Sequence, residues 1–150
     1  MDIESLLRSL NARKARYVVI GATAFPVHGY ARATLDVDLL IEATPENAKR
    51  VRQALLDFGY DMTDVSEQEL LEKKVLIRQH VLETDIHPFV AGGDFEGIWR
   101  RRVEDQIGET PAAFASLDDL IRMKEAAGRP KDLEDLKALR QLRERAGRGS

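Results

Sequence analysis

The chain has 150 residues, of which 43% are hydrophobic and 33% charged, so it suits one globular domain and would be crowded as two. The formal net charge of −3 excludes a protein that binds nucleic acid through an overall basic surface. Cysteine is absent from the sequence, which excludes disulfide bonds, thiolate zinc sites and a cysteine nucleophile.

The first part of the chain alternates between helical and extended patterns. Isoleucine and leucine residues at helical spacing predict a helix over residues 2–14. The β-branched and aromatic run at 17–20 predicts a buried strand that ends at Gly21. The elements expected next are a short helix over 22–29, a polar turn over 30–34, a strand over 36–41, and a helix that begins with Thr44 as its N-cap and stops at Gly59.

The second part of the chain has weaker periodicity. We expect a helical turn over 66–72, two strands over 75–77 and 80–88 with a tight turn near 79–83, a strand with a charged outer face over 99–107, a helix from Ser116 to about residue 127, and a last helix over 131–145. This order predicts an α/β or α+β fold, with a small mixed sheet flanked by helices and two C-terminal helices.

The localisation expected from the sequence is cytoplasmic. Residues 1–10 are charged and amphipathic and do not match a signal peptide. No run approaches the ~20 apolar residues that a membrane span requires. The absence of cysteine agrees with a reducing compartment.

Asp36 and Asp38 are the first candidate site residues. Side chains alternate along a strand, so both carboxylates lie on one face. Two like charges on a strand with apolar neighbours are costly without a counter-charge, and a divalent cation such as Mg²⁺ would remove that cost. The alternative is that both aspartates cap a turn at the exposed end of the strand.

The segment that begins at Gly21 is a candidate phosphate site. A helix that starts directly after a strand presents free N–H groups, and glycine allows close approach of a ligand to the backbone. Thr23 offers a hydroxyl group. A third carboxylate, Asp85, shares a strand face with His87 and would join the first two if its strand lies beside theirs. The alternative is a solvated aspartate beside a turn.

These residues resemble the minimal nucleotidyltransferases of the DNA polymerase β superfamily, and in particular the branch of AbiEii-like toxins. In that branch a glycine and small residues precede a His-Gly pair, an arginine, a threonine and Asp-x-Asp. A Lys…Arg-x-Lys-Asp pattern follows near the C-terminus. The matching positions here are Gly21, Ala24, His28, Gly29, Arg32, Thr34, Asp36, Asp38, Lys124, Arg129, Lys131 and Asp132.

The resemblance implies transfer of a nucleoside monophosphate from an NTP to an acceptor, with Mg²⁺ (or Mn²⁺) as cofactor. It implies a single nucleotidyltransferase-like domain over residues 1–150, with a catalytic core at about 15–110 and C-terminal helices at about 116–146. RNA such as tRNA, a protein hydroxyl or a small molecule is the expected acceptor. An antitoxin or helical protein is the expected partner if the chain is the toxin of a toxin–antitoxin pair.

The same resemblance assigns roles to individual residues. It implies that Asp36, Asp38 and Asp85 bind the metal, that Asp85 is a third ligand or a base, and that Lys124 neutralises phosphate charge. The residues that it places at the nucleotide are Gly21, Ala22, Thr23, Arg32, Thr34, Arg129 and Asp132.

Two features depart from the family pattern. Ala22 stands where the superfamily usually has glycine or serine, so a side-chain contact with phosphate falls to Thr23 or is lost. The chain is also shorter than AbiEii-type toxins, which commonly add a helical region for RNA acceptors. The alternative function is therefore a non-catalytic nucleotide-binding or protein-interaction module that kept the fold.

Several of these side chains have a structural alternative. His28 fits a packing histidine, Lys124 a lysine whose stem covers apolar surface, and Asp132 an acid that favours a helix N-terminus. Arg32 is expected to bind phosphate or to pair with an aspartate. Trp99 and the three arginines after it form the most basic short run, which fits either a nucleic-acid contact or a charged strand edge.

Overall fold

The computed structural model describes residues 2–148 as one mixed sheet with helices around it. Its strands are β1 (Tyr17–Ile20), β2 (Asp36–Ile41), β3 (Val75–Ile77), β4 (Glu83–His87), β5 (Val103–Ile107) and β6 (Thr110–Phe114). Its α-helices are α1 (Ile3–Ala12), α2 (Pro45–Phe58), α3 (Glu67–Glu72), α4 (Phe95–Arg100), α5 (Leu117–Ala127) and α6 (Leu133–Arg148). Two 3₁₀ helices, Gly21–His28 and Pro130–Asp132, complete the order.

The six strands lie in the order β3-β4-β2-β1-β6-β5. Strand β2 pairs antiparallel with β1 and parallel with β4, and β6 pairs parallel with β1. Both edge strands, β3 and β5, pair antiparallel with their neighbours. The expected mixed sheet flanked by helices, of the α+β type, is therefore confirmed.

The core is one cluster that joins the sheet to the helices. Strand β1 is buried along its whole length, which shows that both faces of the sheet are covered at its centre. Helix α1 contributes three fully buried leucines, and α6 contributes Leu139, which has no exposed surface. Strand β2 differs at its start, because Asp36 is exposed and Asp38 only half-buried while the apolar residues after them are buried. This partly open stretch of β2 is where the carboxylates lie.

Most helix boundaries follow the capping residues in the sequence. Thr44 and Ser116 accept hydrogen bonds from the backbone N–H three residues on, as N-caps do. Gly59 and Gly128 end their helices in the left-handed conformation. The predicted helix at 22–29 is instead a 3₁₀ helix that begins at Gly21, and the last helix is preceded by the 3₁₀ turn Pro130–Asp132.

The strand predicted over 99–107 is wrong in its first half. Asp94 accepts a hydrogen bond from the Gly97 N–H and starts helix α4, which carries Trp99. Strand β5 begins only at Val103 and turns at Gly108 into β6, a strand that we do not predict because Pro111 and two alanines weaken its β signal. The strand predicted over 80–88 also begins later, at Glu83.

Over residues 2–148, none of the helices combines the length and apolar character needed to cross a membrane.

Candidate metal centre

The parallel pairing of β2 with β4 brings the candidate carboxylates together. Asp38 lies directly opposite Asp85, and Asp36 lies opposite Glu83. The condition for Asp85 to join the first two carboxylates, that its strand lies beside theirs, is therefore met. Because side chains alternate along each strand, one face of this pair of strands carries four carboxylates and the imidazole of His87.

Asp38, Asp85 and His87 form the tightest group in this row. One ligand atom from each lies within 4.8 Å of the others, and all three residues are half-buried. Nε2 of His87 is 2.9 Å from Oδ1 of Asp38. The exposed fractions of the side chains are 28% for Asp38, 15% for Asp85 and 14% for His87, so the group is open enough for an ion to enter.

Asp36 lies one step further along the row and outside this group. It is exposed at the start of β2, where it faces Glu83. A hydrogen bond with Asp36, together with desolvation, raises the pKa of the Glu83 carboxyl above its ordinary value. The assignment of Asp36 as a metal ligand stays a prediction, and Glu83 is a member of the row that the sequence did not indicate.

Two cations, one directly before and one directly after the edge strand β3, flank the carboxylates. Nη1 of Arg78 donates to Oδ1 of Asp85 at 2.7 Å, and its Nε lies 3.5 Å from Glu83. Nζ of Lys74 lies 3.8 Å from Oδ2 of Asp85. The hydrogen bond to Asp85 raises the pKa of Arg78. These charges offset part of the repulsion within the row, and only the position of β3 beside β4 could have indicated them.

Gly21 lies directly against the Asp38 carboxylate. Its φ angle is +71°, and a Cβ atom built on it would lie 2.7 Å from Oδ2 of Asp38. Thr23 donates its hydroxyl to the carbonyl oxygen of Asp36 at 2.7 Å, and Thr34 accepts from the Asp36 N–H at 3.0 Å. Gly21, Ala22 and Thr23 therefore form the start of a 3₁₀ helix next to β2, and their assignment to the nucleotide stays a prediction. The Thr23 hydroxyl proton is therefore already donated to a backbone carbonyl of the protein.

The remaining predicted nucleotide residues meet in a second cluster, which we call the C-terminal ion network. Its carboxylates, Asp132 and Asp135, are buried. Nζ of Lys124 lies 2.8 Å from Asp132 and 3.4 Å from Asp135. Burial raises the pKa of Asp132, but the hydrogen bonds from Lys124 and Arg129 outweigh it and leave the pKa below its ordinary value.

The C-terminal ion network ties α6 to the segment before β2. Arg32 forms an ion pair with Asp135, and the Tyr30 hydroxyl donates to Asp135 at 3.1 Å. Arg32, Lys124, Arg129 and Asp132 are thus brought together, and their assignment to the nucleotide stays a prediction. Within residues 2–148, no side-chain hydrogen bond or ion pair joins this network to Asp38, Asp85 or His87.

Two other candidates have structural partners. His28 is hydrogen bonded through Nε2 to the Ala115 carbonyl at 2.8 Å, which agrees with a packing histidine. Trp99 lies on α4, and two guanidinium groups stack over its ring. The Cζ atom of Arg102 is 3.9 Å and that of Arg16 is 4.7 Å from the ring centroid. Arg101 forms an ion pair with Asp119. The basic run around Trp99 therefore contacts the protein itself at these positions.

The fold and the site define this chain as an α+β protein with a mixed sheet and a row of carboxylates and one histidine on adjacent parallel strands. A scan of the sequence against models of protein families finds no match, and a search of curated proteins finds no significant relative.

Proposed function

We propose that this protein is a divalent-metal-dependent nucleotidyltransferase that moves a nucleoside monophosphate from an NTP to an acceptor, with release of pyrophosphate. The observation that carries the proposal is the parallel register that sets Asp38 directly beside Asp85. An Asp-x-Asp strand reached through a glycine-initiated helix is the arrangement that the sequence resemblance implies. The mixed sheet with flanking helices supports a nucleotidyltransferase fold.

The donor atoms fit a divalent ion. Asp38 and Asp85 would hold it, with Asp36 one step along the strand as a further carboxylate. Carboxylate oxygens are preferred ligands of Mg²⁺ and Mn²⁺. A bound divalent ion supplies charge neutralisation and Lewis acidity at a triphosphate.

The chain's own groups have separate tasks in this proposal. Gly21 lets the backbone pass close to Asp38, because any side chain there would meet Oδ2 of that carboxylate. Arg78 and Lys74 provide positive charge beside the carboxylates, where a leaving pyrophosphate would be stabilised. The resemblance leaves two roles for Asp85, a further metal ligand or the base for the acceptor hydroxyl.

The acceptor and the biological setting belong to the same proposal. RNA such as tRNA, a protein hydroxyl and a small molecule are the acceptor classes to be tested. The resemblance to AbiEii-like proteins supports a toxin role with an antitoxin partner. The C-terminal ion network supports docking of the last two helices next to the nucleotide-binding segment, since Arg32 and Tyr30 both contact Asp135.

One observation favours the second candidate, a nucleotide-binding module without catalysis. Ala22 has no hydroxyl, and the Thr23 hydroxyl donates to the Asp36 carbonyl, so neither side chain offers a free donor to a phosphate. A module of this kind would bind NTP with a metal ion and transfer nothing.

The deciding experiment incubates the purified protein with each α-labelled NTP, Mg²⁺ or Mn²⁺, and tRNA or total protein. We expect label transfer, and we expect Asp38→Asn to reduce it by roughly 100-fold or more because the opposed carboxylate pair is lost. Asp64→Asn, an exposed aspartate in the loop before α3, is the matched control and should retain full transfer. Equal transfer by Asp38→Asn would contradict the proposal. If NTP binds but no label is transferred from any of the four NTPs, the result would favour the non-catalytic nucleotide-binding module.

A further inference from the structure

His87 is the member of the site for which the proposed function has no use. It lies two residues after Asp85 on β4, so both side chains project from the same face. Nε2 of His87 is 2.9 Å from Oδ1 of Asp38, and the imidazole is 14% exposed. The nitrogen therefore points at the carboxylate that the proposed metal site depends on most.

The spacing of the three ligand atoms suits a single ion. Three atoms that bind one ion at about 2.0–2.2 Å in trigonal or tetrahedral geometry are about 3.3–3.8 Å apart. The atoms of Asp38, Asp85 and His87 lie within 4.8 Å of one another. Side-chain movements of about 1 Å therefore bring all three to one ion. An ion between them would replace the proton that Nε2 and Oδ1 share.

The chemistry of this donor set differs from that of an all-carboxylate site. Mg²⁺ is a hard ion that takes oxygen ligands and rarely uses imidazole. Imidazole suits zinc and the other later first-row metals, and affinity rises from Mn²⁺ towards Zn²⁺. A site with two carboxylates and one imidazole therefore favours a transition metal over Mg²⁺ more strongly than Asp36, Asp38 and Asp85 would.

We propose that His87 is a ligand of the metal site and makes it selective for a divalent first-row transition ion, such as Mn²⁺ or Zn²⁺, over Mg²⁺. This inference rests on the metal dependence of the proposed function. It adds a ligand and names the class of ion.

The test replaces His87 with glutamine. Glutamine keeps a hydrogen-bond donor within reach of Asp38 but is a poor ligand for a transition metal, so His87→Gln separates coordination from hydrogen bonding. We expect isothermal titration calorimetry to show that the wild-type protein binds Zn²⁺ most tightly, Mn²⁺ less tightly and Mg²⁺ most weakly. In His87→Gln the Zn²⁺ affinity should fall by about tenfold or more, while the Mg²⁺ affinity changes less than about threefold.

The other two histidines provide internal controls. The chain has three histidines, and His80 is an exposed residue that stacks on Tyr60. His80→Gln should leave the Zn²⁺ affinity of the site unchanged. A second readout is the imidazole ¹⁵N signal, which should shift on addition of Zn²⁺ for His87 and stay in place for His28, whose Nε2 is bonded to Ala115.

The outcomes separate this inference from the proposed function. Unchanged Zn²⁺ affinity in a folded His87→Gln protein would overturn the inference. If Mg²⁺ still binds and Asp38→Asn abolishes that binding, the metal-dependent function stands without it. If no divalent ion binds the wild type, both are overturned. Circular dichroism of His87→Gln verifies that any loss of affinity is not a loss of fold.

Discussion

At the scale of single residues, the site depends on a close approach between backbone and carboxylate. Gly21 follows the last residue of β1, and Ile20 pairs with Asp38 across the sheet. The backbone therefore passes beside the Asp38 side chain with a φ angle of +71°, in the region where residues other than glycine are strained. Any side chain at position 21 would therefore strain the backbone and would also collide with the Asp38 carboxylate.

We predict that Gly21→Ala destabilises the fold and weakens metal binding together. The strained backbone should cost about 1–2 kcal/mol, and the new methyl group should displace Oδ2 of Asp38, which would lie 2.7 Å away. Urea unfolding and metal titration measure the two effects. Gly128→Ala, with a φ angle of +62° and no atom closer than 3.9 Å to the added Cβ, is the control for backbone strain alone. A metal affinity of Gly21→Ala equal to that of Gly128→Ala would show that position 21 tolerates a side chain beside Asp38.

At the scale of elements, helices α4 and α5 are joined by one buried carboxylate. Asp119 has 1% of its side chain exposed and accepts two hydrogen bonds from Arg101, at 2.9 and 3.0 Å. It also accepts from Arg122 and from the hydroxyl of Ser116, the N-cap of α5. Ser116 is the N-cap of α5 as predicted, and Asp119 also anchors α4, the helix that the sequence did not predict.

The pH dependence of this contact follows from the direction of its pKa shift. Burial raises the pKa of Asp119, but the hydrogen bonds from Arg101, Ser116 and Arg122 outweigh it and lower the pKa below 3.8. The unfolded chain therefore binds this proton more readily than the folded protein. The stabilisation by ionised Asp119 is fully present when the pH is above the pKa of this group in the unfolded chain. It is lost as the pH falls through the lower pKa of the folded protein.

We predict that Asp119→Asn lowers the free energy of unfolding by about 2 kcal/mol at pH 7, because Arg101 and Arg122 lose their charged partner. The difference from wild type should narrow below pH 3.8. Urea unfolding at pH 7, 5, 4 and 3 measures it. Asp118→Asn, at the exposed neighbour whose ion pair to Arg143 is 3.9 Å long, should be nearly neutral. If the free energy of unfolding of Asp119→Asn differed from that of wild type by the same amount at pH 3 and pH 7, the predicted pH dependence would be contradicted.

At the scale of the whole molecule, the buried apolar residues form one cluster that includes α1, the sheet and α6. The C-terminal ion network adds links between distant parts of the chain, since Arg32 and Asp135 are 103 residues apart. A domain with a continuous core is expected to unfold in one transition. The expectation of a single domain over residues 1–150 stays a prediction that unfolding experiments test.

We predict that Leu139→Ala destabilises the entire protein. Leu139 has no exposed surface, and truncation of such a leucine typically costs about 2–5 kcal/mol. The single tryptophan, Trp99 on α4, reports on a distant part of the chain. Its fluorescence transition in urea should shift together with the loss of helical circular dichroism. A Trp99 transition that stays at the wild-type urea concentration would indicate two separate units. Leu133→Ala, at a leucine that is 64% exposed, is the matched control.

Local signals in the sequence determined many of the elements. Thr44 and Ser116 as N-caps, and Gly59 and Gly128 as terminators, act within a few residues, so the helices that they bound are confirmed. The alternation of side chains also correctly placed Asp85 and His87 on one face. The prediction failed where the local signal was weak or mixed, at the Asp94 cap and at Pro111 in β6.

The tertiary structure alone decided which faces meet. Alternation fixes the face of a strand but not its neighbour or its register, because those depend on how the whole sheet packs. The parallel pairing of β2 with β4 therefore decided that Asp38 lies beside Asp85, and the position of β3 brought Arg78 to the same carboxylate. The sequence determined the carboxylates and the glycine before them, and the sheet decided that His87 joins them.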